Sequence, residues 1–161
     1  MTDNTPISPG GPVRLVLFLC TGNYYRSRFA EGFFNALAAR VQLAWRAESR
    51  GLATEWLASN IGPVSRQTKA ELAKRGVVLE HPDRYPQQVQ ETDLARADLV
   101  IALNEIEHRP MLSERFPGWE DRVEYWHIVD LSEAPSSEIL PLLEQHVRGL
   151  VRRLGAASSA A

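Results

Sequence analysis

The run VRLVLFL, residues 13–19, constrains the fold more than any other part of the chain. Apart from Arg14 it is apolar at every position, so an extended strand built from it cannot leave either face in water. Such a strand belongs in the middle of a parallel sheet covered on both sides. Parallel neighbours need long crossover connections, usually helices, and the remaining sequence supplies them. Helical patterns from about Ser27 to Arg40, Ser65 to Arg75, Glu105 to Phe116 and Ser136 to Leu154 alternate with extended segments at 42–48, Asp98–Leu103 and Arg122–Val129. In the first helix Phe29, Phe33, Ala36, Leu37 and Val41 recur near helical spacing. Ser65 and Gly76 read as the cap and the stop of the second. The predicted class is α/β, with a central parallel four-stranded sheet between two helical layers.

With 161 residues the chain has the length of one domain, predicted over 13–154. Residues 1–12 and 155–161 are small, polar or rich in Pro and Gly, and are expected to be flexible tails. Eighteen basic against twenty acidic side chains leave a formal net charge of −2, and no long run of one sign points to nucleic acid or a membrane as partner. An anion must therefore be held locally. No stretch approaches the roughly 20 apolar residues of a spanning helix, and the N-terminus MTDNTPISPGG lacks a basic start and an apolar signal core, so a cytoplasmic location is expected. The single cysteine, Cys20, excludes an internal disulfide and a cysteine-based zinc site, leaving it packing or chemistry.

In parallel α/β sheets, ligands bind beyond the carboxyl ends of the strands. Cys20 lies just past the end of the first strand, and Asp130 just past the end of the last, so the two can meet on one sheet edge. The intervening loop reads C-T-G-N-Y-Y-R-S over 20–27. Gly22 and Asn23 adopt positive φ cheaply, which lets the loop curl until its backbone N–H groups face inward. Inward amides ahead of a helix N-terminus suit a tetrahedral dianion. Arg26 adds a planar fork for two phosphate oxygens, which lysine lacks. The same positive field favours a thiolate on Cys20, placed for in-line attack, and Ser27 can donate a hydrogen bond to it.

This arrangement resembles the low-molecular-weight protein tyrosine phosphatases, whose loop has the form C-x5-R-[ST] near the N-terminus. RSRFAEGFF resembles that family's R-S-x-x-A-E segment, WRAESRG its serine-containing turn after the second strand, and DLVIALNEIEHRPML the segment after its third. The resemblance covers about residues 13–154 and implies a flavodoxin-like sheet of strand order 2-1-3-4. It further implies a cysteine-dependent hydrolysis of phosphotyrosine, or of small aryl phosphates, through a phosphocysteine, with no cofactor and no metal. In that reading Cys20 is the nucleophile, Arg26 the phosphate clamp and Asp130 the general acid. Thr21, Gly22, Asn23, Tyr24, Tyr25 and Ser27 complete the phosphate loop; Asn23 fixes its curl and Ser49 supports Asn23.

The sequence departs from the family's pattern at several positions. Leu131 replaces the proline expected after the acid, no tyrosine pair follows it, and Glu133 is the nearest substitute for Asp130. Tyr25 stands where a second cysteine is often found, so an oxidised Cys20 would need an external thiol for recovery. Asn104 replaces an aspartate after the third strand, which loses a charge and keeps hydrogen-bonding capacity. Trp56, with Tyr24 and Tyr25, is either a substrate-flanking aromatic or ordinary packing. His81, His108, His127 and His146 read as surface or packing residues. Two other functions fit the loop: an arsenate reductase using a small external thiol, and a phosphate-binding module without turnover.

Overall fold

The computed structural model describes residues 12–159. The expected N-terminal tail thus lies outside the described residues except for Pro12. Strands β1 (Arg14–Cys20), β2 (Trp45–Gly51), β3 (Leu99–Ala102) and β4 (Glu124–Tyr125) form one parallel sheet in the order β2-β1-β3-β4, as expected. Helices α1 (Arg26–Arg40), α2 (Arg66–Lys74), α3 (Glu91–Arg96), α4 (Glu105–Arg115) and α5 (Ser136–Ser159) cover it. β1 is central, pairing from Arg14↔Trp45 to Cys20↔Gly51 on one side and from Val16↔Leu99 to Leu19↔Ala102 on the other.

The two-residue period of β1 divides the core. Val16, Phe18 and Cys20 point to one side, where they pack with Phe29 and Phe33 of α1 and Leu140, Leu143 and Val147 of α5. Leu17 and Leu19 point to the other, among Leu94 of α3 and Leu112 of α4. Every residue of β1 except Arg14 is buried, the consequence foreseen from its two-sided apolar character.

Several boundaries differ from expectation, each for a local reason. β2 begins at Trp45 rather than 42, because the exit of α1 uses a left-handed Gln42 (φ 52°) and a bond from Leu43 N–H to Ala38 O (2.9 Å) before the strand can start. β4 is only Glu124–Tyr125, yet the chain keeps running beside β3: Ile128 N–H reaches Leu103 O (2.7 Å) and His127 bridges Asn104. Asp130 is thereby still delivered to the carboxyl edge. α5 continues past Leu154 to Ser159, so residues 155–159, expected in the C-terminal tail, are helical; Ala156 and Ala157 are strong helix formers. α3 and a 3-10 helix at Thr54–Leu57 are too short to show periodicity. Val41, expected on the buried face of α1, caps the helix and is exposed. Among the described residues no helix is long and apolar enough to cross a membrane.

Phe18 is fully buried, edge-on to Phe34 (centroids 6.1 Å apart) and tilted against Trp126 (5.8 Å). Phe18→Ala is expected to cost about 3–5 kcal/mol; urea unfolding should show a lower midpoint with an unchanged slope.

Candidate active site

The loop after β1 curls because its carbonyl groups are claimed from outside. Cys20 O accepts from Leu52 N–H and Thr21 O from Ala53 N–H (2.9 Å each), while Tyr24 O accepts from Ser65 N–H (3.0 Å) and Tyr25 O from the Thr68 hydroxyl (2.9 Å). None of the described peptide bonds is cis, so each outward carbonyl turns the N–H of the following residue to the opposite side. The amides of Thr21, Gly22, Tyr25 and Arg26 are thus directed to the concave side, at the N-terminus of α1. Asn23 sits at the bend with φ 52° and is fully buried, whereas Gly22, expected to share the positive φ, does not adopt it; its missing side chain instead leaves room for Leu57. A Cβ on Gly51 would lie 2.9 Å from Thr21 O and 3.1 Å from Asn23 N, so that strand end must be glycine for the loop to approach.

A hydrogen-bonded chain runs behind the sulfur. Cys20 Sγ lies 2.9 Å from Ser27 Oγ. Asn23 Nδ2 donates to Ser27 Oγ (2.8 Å) and to Ser49 Oγ (3.0 Å). With Ser27 accepting from Asn23, its own O–H is available to the sulfur. Ser49 donates in turn to Glu31 Oε1 (3.2 Å), and Asn23 Oδ1 accepts from Gln87 N–H (3.1 Å) and Arg84 Nη1 (3.0 Å). Burial holds the Glu31 carboxyl above its ordinary range despite nearby Arg28 and Arg84.

Arg26 is 2 % exposed, and its bonds leave one edge uncommitted. Nη1 donates to Glu107 Oε2 and Ile128 O (2.9 Å each), and Nη2 to Glu107 Oε1 (2.8 Å). The Nε–H and second Nη2–H, which lie side by side, are not used in these bonds. Nε faces Asp130 Oδ1 at 3.8 Å. Burial opposes the cation, but Glu107 outweighs it and raises the guanidinium further. Burial likewise opposes the Glu107 anion, while bonds from His108 and Arg26 outweigh it and hold this carboxyl well below the usual range.

Sequence reasoning missed Glu107 and its neighbour. Asn104 caps α4 by accepting from Glu107 N–H (3.1 Å), which points Glu107 and His108 back under the loop. The fully buried His108 accepts from Asn104 N–H at Nδ1 (3.0 Å), so its Nε2 carries the proton, 3.2 Å from Thr21 Oγ1 and 3.4 Å from Glu107 Oε1. Burial keeps this imidazole neutral by lowering its pKa, and the Thr21 hydroxyl donates to Glu107. The signal was present in NEIEH, a cap and an acid just past a sheet edge.

The rim is less regular. Asp130 is more than a third exposed in a turn closed by Glu133 N–H on its carbonyl (2.9 Å), and Glu133 is exposed. Trp56 is 60 % exposed with the Arg115 guanidinium 5.5 Å over its ring, so it is not part of the core packing. Tyr24 is half-buried and donates to Ile61 O (2.6 Å). Tyr25 joins the core between α1 and α5, and burial pushes its phenol up to about 12.

Residues 15–160 match the family described as low molecular weight phosphotyrosine protein phosphatase. The chain belongs to this family. Among curated relatives it is 29 % identical over 108 residues to a Bacillus subtilis protein-arginine-phosphatase, covering 67 % of each chain. It is 37 % identical over 89 residues to a Streptomyces coelicolor low molecular weight protein-tyrosine-phosphatase, covering 55 % of this chain and 52 % of the relative. The crystal structure of the family's protein tyrosine phosphatase from T. tengcongensis superposes with a TM-score of 0.69 at 28 % identity, covering 89 % of this chain and 99 % of that one. YfkJ of Bacillus subtilis shares the fold, with a TM-score of 0.75 at 24 % identity over 91 % and 98 % of the two chains.

Two outcomes follow for this phosphatase-family loop. Gly51→Ala is expected to cost about 1–3 kcal/mol, since its methyl meets the Thr54 side chain and, behind it, backbone of Thr21 and Asn23 that cannot rotate away; chemical unfolding measures this. The depressed Glu107 carboxyl contributes stability that is present above its unfolded value of about 4.3 and is lost as pH falls toward the folded one. Unfolding free energies of wild type and Glu107→Gln should therefore differ most above about pH 5 and converge in acid.

Proposed function

We propose that this chain is a cysteine-dependent phosphatase acting on phosphotyrosine or aryl phosphate monoesters, with Cys20, Arg26 and Asp130 carrying the reaction. The observation that supports it best is the accounting at Arg26. Its end-on face is taken by Glu107, while Nε–H and one Nη2–H remain on a side-on edge beside Asp130. That edge and the inward amides hold the phosphate oxygens. The Cys20 thiolate attacks phosphorus as the P–O bond to the leaving group breaks, and Asp130 protonates the departing oxygen. Asp130 then takes a proton from a water that attacks the phosphocysteine. The P–S bond breaks, phosphate leaves, and Ser27 O–H receives the thiolate again. Ser49 and Asn23 keep the loop curled. Trp56 and Tyr24 offer ring faces at the rim, which favours an aromatic leaving group. The finer placement in this reading is the cytoplasm, where a lone nucleophilic thiol stays reduced.

The family match does not favour the arsenate reductase alternative. The Bacillus subtilis relative acts on protein phosphoarginine by name, so that substrate belongs in the same assay. Wild type should hydrolyse 4-nitrophenyl phosphate and phosphotyrosine peptide under vanadate inhibition. Cys20→Ser should be inactive, and Asp130→Asn about 10²–10⁴-fold slower with a poor leaving group. Preference for a phosphoarginine peptide would redirect the substrate class; activity in Cys20→Ser would sink the mechanism.

A further inference from the structure

Arg84 lies in the segment between α2 and α3, far from the catalytic loop in sequence and in no regular element. The segment is fastened behind the loop from several directions. Arg28 Nη2 donates to His81 O (2.8 Å), and Gly51 exchanges bonds with Gln87 O and Val89 N–H (2.8 Å each). From there the Arg84 guanidinium spans two members of the chain behind Cys20. Nη1 donates to Asn23 Oδ1 (3.0 Å) and Nη2 to Ser49 Oγ (3.2 Å).

The consequence lies in the direction of the hydrogen bonds. A side-chain amide can present either its oxygen or its nitrogen to a neighbour, and serine can donate or accept. Guanidinium and backbone N–H can only donate. Arg84 and Gln87 N–H both point at one end of the Asn23 amide, so that end must be oxygen and the other end nitrogen. The nitrogen then donates to Ser27 and Ser49, and the Ser27 proton is left for the Cys20 sulfur. At Ser49 two donors, Arg84 and Asn23, force its own proton toward Glu31.

We propose that Arg84 is a positioning residue of this site: together with Gln87 N–H at Asn23, and alone in also reaching Ser49, it holds the polarity of the donor chain Arg84–Asn23–Ser27 that ends on the Cys20 sulfur and stabilises its thiolate. The proposal rests on the reading of Cys20 as the nucleophile. The charged groups facing Arg84 are Arg28 and Glu31 from α1 and Glu48 and Arg50 from β2; the charge facing Cys20 is Arg26. Burial, with the neighbouring Arg28, lowers the Arg84 pKa to about 10, which leaves it a cation at neutral pH.

The chain contains one cysteine, so alkylation by iodoacetamide reports on Cys20 alone and needs no turnover. In Arg84→Met, which removes donors and charge, alkylation at about pH 6 should slow by on the order of threefold to tenfold. The kcat for 4-nitrophenyl phosphate should fall about tenfold, with thermal unfolding confirming an intact fold. Arg84→Lys keeps a cation without the fork. Its single ammonium can donate to Asn23 Oδ1 or to Ser49 Oγ but does not span both as the fork does, so alkylation and kcat should each recover only in part. A folded Arg84→Met with wild-type alkylation profile and kcat overturns the proposal. Should that variant not fold, Arg84→Lys decides, and wild-type kcat there overturns it. A wild-type protein that alkylates but hydrolyses no aryl phosphate sinks the phosphatase reading instead, and leaves the alkylation comparison standing.

Discussion

The fork between Arg26 and Glu107 is the interaction on which the site depends. A guanidinium this deeply buried is unstable without an anion, and the partner must come from another element, because the loop itself has no acid. β3 lies next to β1, so the helix after β3 starts beside the helix after β1. Asn104 at the start of α4 then aims Glu107 at the loop. With the end-on face of Arg26 taken, its remaining donors lie on the edge that meets Asp130. Sheet order, helix cap and donor geometry thus combine to leave one edge of the guanidinium uncommitted.

Behind the loop the same economy holds around a neutral amide. Asn23 is buried with both amide hydrogens donated and its oxygen accepting from two donors. A buried polar network is stable only when each member is satisfied. Here satisfaction also imposes direction, because the chain ends in pure donors on one side and on sulfur at the other. The left-handed backbone of Asn23, costly for most residues but tolerated by asparagine, is held in place by that network. Tyr25 shows a different economy: where a second thiol would stand, a ring fills the core between α1 and α5, so the position serves packing and Cys20 stands without a partner thiol.

Much of the fold was legible because period and composition carry it. The apolar run before Cys20 implied a central strand, and the alternation of patterns implied crossover helices. C-T-G-N-Y-Y-R-S carried the loop, since its glycine, asparagine, arginine and serine have few other uses at that spacing. Glu107 and His108 were half legible, in a capped helix start at the right sheet edge. Arg84 was not. It sits in an aperiodic stretch, YPQQ follows it, and nothing local distinguishes it from a solvated arginine. The shortened β4 was hidden for a similar reason: the 122–129 segment is apolar enough for a strand, but only Glu124 and Tyr125 pair in register.

By itself the sequence determined the α/β class, the central strand, and a loop in which one thiol and one guanidinium flank backbone amides. These follow from local spacing and from the need to bury apolar side chains, which neighbouring residues decide. Tertiary structure alone decided which acid neutralises Arg26, which way the Asn23 amide faces, and which surface residues stand at the rim. Each of those depends on atoms brought within about 3 Å from distant parts of the chain, and a hydrogen bond acquires its partner and its direction only when the backbone has already placed both ends.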